Sequence, residues 1–303
     1  MDADATVGVV GVGHMGSVIL EQLLPHVGQA LVCDLDPAAR KRAEAMGAVA
    51  VEDPIDLARR ASYVLSVLPR DEHVESVAFA PNGLLAAGDA AFCWIEMSTI
   101  DPATTRRLGE AARGTGVVVA DAGIVGRFGA LSFLVGGEMS SYERTRALLE
   151  HIGTTYHCGP LGAGVTAKIV NNMLAGTIFG AVCEALVLGL KAGLPLELLL
   201  EVLSKTAADN AALRGSIPIK VAERDFEPGF LMTLMQKDAL LAVDLAQRHQ
   251  VPLRVASVVN ALRQDAIARG MGSLDATALA RLMEEETDCA ITWSRERTEA
   301  GRK

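Results

Sequence analysis

The stretch VGVVGVGHMGSVILEQLL, residues 7–24, runs from a short valine-rich segment through GVGHMG into an apolar-periodic one. A G-x-G-x-x-G alone is a weak signal; between a strand and a helix it gains its physical meaning. Gly11 permits the tight turn, Gly13 lets a pyrophosphate approach the backbone, and Gly16 allows close packing of the helix. The helix N-terminus, with His14 and Met15 in its first turn, offers free amides to the phosphates. Asp34 follows Gly16 by 18 residues and ends the next apolar run. A carboxylate there can accept hydrogen bonds from ribose hydroxyls and repels a 2′-phosphate, so the pattern predicts a site for NAD, with NADP disfavoured. The basic run Arg40, Lys41, Arg42 is the counter-signal, since it can bind that phosphate or simply face solvent.

Outward from this unit, runs rich in strand formers recur as ALVCD at 30, YVLSVL at 63, AFCWIE at 91, VVVAD at 117, SFLVG at 132 and TTYH at 154. Helical segments separate most of them, which implies an α/β fold with a parallel, doubly wound sheet. Three helices open on Asp-Pro, at Asp36-Pro37, Asp53-Pro54 and Asp101-Pro102. In each, the aspartate can cap free amides while proline takes the first helical position. After about residue 164 the pattern turns to long helical stretches, among them LPLELLLEVLSK and MQKDALLAVDLAQRH, with HCGPLGAGV as the natural boundary. The expected organisation is a dinucleotide-binding domain over 1–163 and an all-α domain over 164–303.

With 303 residues, 50% of them hydrophobic, the chain is long enough for two well-filled cores. A formal net charge of −9 gives no basic footprint for nucleic acid or an anionic membrane. The five cysteines show no CxxC pair and no ligand spacing, which suits free thiols in a reducing cytoplasm and predicts no metal site. Two acids near the N-terminus argue against a signal peptide. Glu184 interrupts the apolar stretch MLAGTIFGAVCEALVLGL, which favours a buried helix over a membrane span. The six histidines, at 14, 26, 73, 151, 157 and 249, accompany no GxSxG and no metal-ligand spacing, which disfavours a hydrolase.

A different stretch points to the chemistry. GAGVTAKIVNNMLAG, residues 162–176, sets Lys168, Asn171 and Asn172 into an otherwise apolar run. In a helix these fall at i, i+3 and i+4 and share one face. Burying an ammonium there costs several kcal/mol unless it is solvated, paired or neutral. Either the lysine snorkels to solvent, or it is a proton-transfer group.

With these elements in order, the sequence resembles the β-hydroxyacid dehydrogenases, the family of 3-hydroxyisobutyrate dehydrogenase, and more distantly 6-phosphogluconate dehydrogenase. The resemblance spans about residues 5–285 and includes SVLPRDEHV at 66, NGLL at 82, EMSTIDP at 96, VGG at 135, GPLGAGVTAKIVNN at 159 and PGFLMTLMQKDALLA at 228. It implies a Rossmann domain followed by a helical domain that binds substrate and joins copies into a homodimer or homotetramer. It assigns acid/base catalysis to Lys168 and orientation of the substrate hydroxyl to Asn172. Leu68, Pro69, His73, Thr99 and Lys237 match cofactor contacts, Phe230 matches an aromatic lining the active site, and Asp238 buttresses Lys237 on the substrate side. The implied substrate is a small 3-hydroxy acid or its semialdehyde.

The substrate loop departs from the family pattern. Where the family carries D-A-P-V-S-G-G, with a serine that cradles the substrate carboxylate, this chain has DAGIVGR at 121–127. Val125 replaces the serine, Gly123 the proline and Arg127 the second glycine, and the following stretch is shorter than usual. The amide of Gly126 and the guanidinium of Arg127 are the expected replacement anchors, unless Arg127 points at water. An imine reductase and a catalytically silent dinucleotide-binding scaffold are the alternatives; Lys168 with Asn172 argues against both.

Overall fold

The structure, a computed structural model, describes residues 4–88, 90–127 and 130–294. The chain divides into two compact units, Met1–Val170 and Asn171–Lys303. This division falls seven residues beyond the boundary expected at 163/164, because the helix that begins at Ala163 continues from one unit into the other.

In the first unit, strands and helices alternate: β1 (Thr6–Val10), α1 (His14–Leu23), β2 (Gln29–Cys33), α2 (Pro37–Ala45), β3 (Val49–Ala50), α3 (Pro54–Arg60), β4 (Tyr63–Ser66) and α4 (Asp71–Phe79). They continue with β5 (Cys93–Glu96), α5 (Pro102–Ala111), β6 (Val118–Arg127), β7 (Ala130–Gly136), α6 (Met139–Leu149), β8 (Gly153–Gly159) and α7 (Ala163–Lys191). The described strands form one sheet in the order β3-β2-β1-β4-β5-β6-β7-β8. Neighbouring strand residues divide between its faces. Val64 and Trp94 pack with Leu57 of α3, Val74 of α4 and Leu108 of α5, whereas Leu65 and Ile95 pack with Ile19 of α1 and Leu148 of α6. The sheet is therefore covered by helices on both faces, as alternation of strand and helix requires.

Three local readings are corrected. The sheet is not wholly parallel: β6 and β7 pair antiparallel, because two residues are too few for a crossover. Val49–Ala50 is a strand too short to carry a periodic signal. Asp36 and Asp101 cap their helices, accepting from the amides of Ala38 and Ala103, but Asp53 does not. Its carboxylate accepts from Asn82 Nδ2 instead.

The second unit holds the rest of α7, then α8 (Leu196–Leu203), a π-helix (Ala212–Val221), α9 (Met232–Arg248), α10 (Arg254–Ala268) and α11 (Leu279–Thr287). Its main core packs Cys183 and Leu186 of α7 against Leu196 of α8, Leu213 and Ile217 of the π-helix and Met283 of α11. By length and composition α7 is apolar enough to cross a membrane, with a mean hydropathy of 2.0 over its most apolar window, of which 33% is buried.

Candidate active site

The order β2-β1-β4 places a topological switch between β1 and β4, where neighbouring crossovers diverge and leave a crevice at the strand ends. The glycine loop leaves β1 at that point. Gly11 has φ +84°, and a Cβ there would run into the Val67 carbonyl. A Cβ on Gly16 would collide with the carbonyl of Gly11, so this glycine lets α1 start against its own loop. Gly13 differs: nothing lies within 4 Å of where its Cβ would be. It is exposed, and α1 begins at His14 and Met15 with no side-chain cap and no acidic residue in its first turn. Open backbone and uncapped amides are what a pyrophosphate requires.

Asp34 lies just beyond β2 and grips this loop. Its Oδ2 accepts from the Val12 amide at 2.7 Å and its Oδ1 from the Asp36 amide at 2.8 Å. Arg40 does not simply face solvent: its guanidinium is half-buried and donates to the Asp34 carbonyl at 2.9 Å. Lys41 is exposed, and Arg42 lies 3.9 Å from Asp36.

Across the switch, Leu68 and exposed Pro69 follow β4. The Leu68 amide donates to Ser98 Oγ at 2.8 Å, and the Ser98 amide donates to Glu96 Oε1 at 2.7 Å. Ser66 donates to the other oxygen of Glu96 and accepts from Trp94 Nε1 at 2.7 Å. Burial pushes Glu96 up to about 7, against the pull of these hydrogen bonds. This network ties the ends of β4 and β5 together under the segment that carries half-buried Thr99. His73, on α4, has a buried Nδ1 without a hydrogen-bond partner among the described residues. The uncapped helix, the open Gly13 and this orphaned nitrogen together fit a bound dinucleotide.

The end of β6 is built differently from expectation. DAGIVGR is not a loop but strand through Arg127, with Val125 paired to Ser132, Gly126 to Leu131 and Arg127 to Ala130. Val125 is half-buried and Gly126 exposed; the side chain of Arg127 lies outside the described residues. At the other end of this segment, Asp121 accepts from the amides of Gly162 at 2.7 Å and Val165 at 2.6 Å, which anchors the start of α7. Burial raises Asp121 to about 6 despite those amides. Gly123 then makes room for α7: a Cβ there would lie 2.5 Å from Lys168 Cβ. The half-buried stem of Lys168 thus lies directly over β6.

Four residues along α7, Asn172 is buried in the second unit. Its Nδ2 donates to Asp238 Oδ2 at 2.7 Å, and Asn171 Nδ2 donates to its Oδ1 at 3.1 Å. Asp238, only 2% exposed, also lies 3.1 Å from Lys237 Nζ through Oδ1. It fixes both neighbours. Phe230 is half-buried in a segment held by Asp275, which accepts from the amides of Gly229 at 2.9 Å and Phe230 at 3.0 Å.

Comparison with known proteins identifies the family. Residues 6–160 match the family described as the NAD binding domain of 6-phosphogluconate dehydrogenase, and residues 162–283 match the NAD-binding family of NADP-dependent 3-hydroxyisobutyrate dehydrogenase. The 3-hydroxyisobutyrate dehydrogenase of Pseudomonas aeruginosa is 36% identical, over 90% of this chain and 92% of its own length. The chain belongs to the β-hydroxyacid dehydrogenase family. The 2-(hydroxymethyl)glutarate dehydrogenase of Eubacterium barkeri is 30% identical, over 96% of this chain and 99% of its own. Among solved structures, the 3-hydroxyisobutyrate dehydrogenase of Mycobacterium tuberculosis with L-serine superposes with a TM-score of 0.83 at 28% identity, covering 92% of this chain and 99% of that one.

In this β-hydroxyacid dehydrogenase, sequence reasoning missed the supporting residues Ser66, Glu96, Ser98, Asp121 and Asp275. Glu96 and Asp121 had a usable signal, since each is an acid at the end of an apolar strand run and such acids are buried only when hydrogen-bonded. Ser66 carried none, because its partner Glu96 lies 30 residues away; Asp275 caps Thr277 two residues on, but its hold on Gly229 and Phe230 spans about 45 residues.

Proposed function

We propose that this dehydrogenase moves a hydride between NAD, preferred over NADP, and a small 3-hydroxy acid or its semialdehyde, with Lys168 as acid/base. The observation that carries the reading is the placement of Lys168 and Asn172 one turn apart on α7, with Asn172 oriented by Asp238. A nicotinamide, when bound, supplies the hydride acceptor. Lys168, as the free amine, takes the hydroxyl proton while the alcohol carbon gives up its hydrogen with the bonding pair, and the carbon–oxygen bond becomes double. Asn172 gives one amide hydrogen to Asp238 and keeps the other for the substrate oxygen. In the reverse direction, protonated Lys168 returns the proton.

Gly11, Gly13 and Gly16 with the α1 amides hold the pyrophosphate in this reading, and Asp34 faces the adenosine ribose. Leu68, Pro69, His73, Thr99 and Lys237 complete the cofactor set, with Phe230 beside the substrate. The helical unit joins copies into a dimer or tetramer. A cytoplasmic setting suits the five cysteines, all free and three of them buried. Lys168 also argues against imine reduction, which needs no base for a hydroxyl.

The test begins with purified protein and NAD against a panel of 3-hydroxy acids and semialdehydes, followed by Lys168→Ala on the best substrate. Turnover should fall by at least roughly 10²-fold, the scale of an acid/base group, with the NAD Kd unchanged. Near-normal turnover would remove Lys168 from the chemistry.

A further inference from the structure

The second unit contains a cavity of about 330 Å³ that the catalytic assignment leaves unused. Most of its wall is apolar, with Ile178 and Phe179 of α7 and Met235 of α9. Into this wall is set Arg263 of α10, only 3% exposed. Among the described residues its one hydrogen-bond partner is Asn260 Oδ1, at 2.8 Å, and no carboxylate lies within ion-pair distance. A guanidinium has five N–H donors and stays charged, so most of its capacity is left unmatched. Burial lowers its pKa, as expected of a cation without a counter-ion. A buried charge without a partner costs several kcal/mol, and one that lines a cavity is positioned to receive an anion.

Two further observations give the place a built character. Gly176 of α7 lies against the guanidinium: a Cβ there would stand 2.7 Å from Nη2, so any larger residue would displace the end of the arginine. Ser216, carried on the π-helix, also lines the cavity and brings a hydroxyl to it. Asn171, joined to Asn172, lines the same cavity. The cavity therefore begins beside the residue that orients the hydroxyl and contains an unmatched cation. From Asn172 to Gly176 the helix rises about 6 Å. At roughly 30 Å³ per water-sized group, the volume admits about ten non-hydrogen atoms, more than a four-carbon hydroxy acid needs.

We propose that Arg263 binds a distal carboxylate of the substrate, one carried several bonds from the alcohol, with Ser216 as a second donor. The favoured substrates are then hydroxy acids with an extended acidic arm. This deepens the dehydrogenase reading and rests on it for the reaction, while the anion site stands on its own geometry.

Two measurements on the full-length protein separate the claims. The first is calorimetric binding of glutarate, which has no hydroxyl to oxidise, to wild type, Arg263→Gln, Arg263→Lys and Arg127→Ala. Wild type should bind, Arg263→Gln should bind at least about 10-fold more weakly, as expected for a lost charged hydrogen bond, and Arg263→Lys should fall between. The second is turnover with NAD of 2-(hydroxymethyl)glutarate and 3-hydroxyisobutyrate. Arg263→Gln should raise KM for the first by about 10- to 100-fold and change kcat, NAD affinity and the second substrate little. Equal glutarate affinity in wild type and Arg263→Gln overturns the proposal, as does weakening by Arg127→Ala alone. An Arg263→Gln effect confined to thermal stability or to dimer dissociation also overturns it. Glutarate binding that depends on Arg263, without oxidation of any hydroxy acid, would retain the anion site and remove the dehydrogenase reading.

Discussion

Asp34 holds two amides at once, and this changes what its replacement should do. A carboxylate that only faced the ribose would govern cofactor choice alone. Here Oδ2 also fixes Val12, inside the glycine loop, and Oδ1 fixes the turn into α2. Each oxygen has further lone pairs, so the same carboxylate can serve a ribose hydroxyl and still repel a 2′-phosphate. Asp34→Asn keeps an acceptor for one amide and loses the charge. Its preference for NAD over NADP should narrow by at least about 10-fold in kcat/KM, a change of roughly 1.4 kcal/mol, while the Kd for NAD itself weakens. The check is kcat/KM with both cofactors. A higher value for NADP in the unmodified protein would make the half-buried Arg40, beside the Asp34 carbonyl, the deciding residue instead.

At the scale of elements, the ends of β4 and β5 are joined by a buried carboxyl, which gives the first unit a pH dependence. Glu96 titrates near 7 in the fold against 4.5 in an unperturbed chain, chiefly because it is buried. The folded state therefore holds the proton more tightly than the unfolded one. The stability this contributes is complete below about 4.5, declines as pH rises, and is lost above about 7. Asp121, raised from 3.8 to about 6 by burial, adds a slope of the same sign at slightly lower pH. Glu96→Gln mimics the protonated form and removes one of the two slopes. Its Tm relative to wild type should rise between pH 5 and about pH 7 and level off above that; a constant difference across this range would mean that Glu96 does not titrate in it. The same elements mark how far the sequence could be read. Gly11 and Gly16 were legible because their roles are local, a positive φ and a collision within one turn. Gly123 was visible only as a departure from the family pattern, since the Lys168 stem above it comes from a helix that begins 40 residues later. Arg263, on a helix face of mixed character, gave no signal, because its missing counter-ion is a property of packing.

At the scale of the whole molecule, α7 has apolar surface that its own chain leaves uncovered. Val170, Leu174 and Leu188 are 47%, 55% and 72% exposed. At 100° per residue, Leu188 falls in line with Val170 and Leu174 about 40° away, so the three form one stripe along roughly 27 Å of helix. Glu184 is exposed about 40° to the other side of that line. A carboxylate within the stripe is costly in hydrocarbon but acceptable at the edge of a protein interface, which favours a second copy over lipid as the cover. Covering a leucine contributes about 1.5–3 kcal/mol, and burying a glutamate in its place reverses the sign. Leu188→Glu should therefore raise the dissociation constant of the dimer by at least about 100-fold, read by sedimentation equilibrium, with the circular dichroism and Tm of the helical unit preserved. A wild-type protein that is monomeric at micromolar concentration, or a Leu188→Glu variant that sediments as wild type does, would show that α7 is not the face through which copies meet.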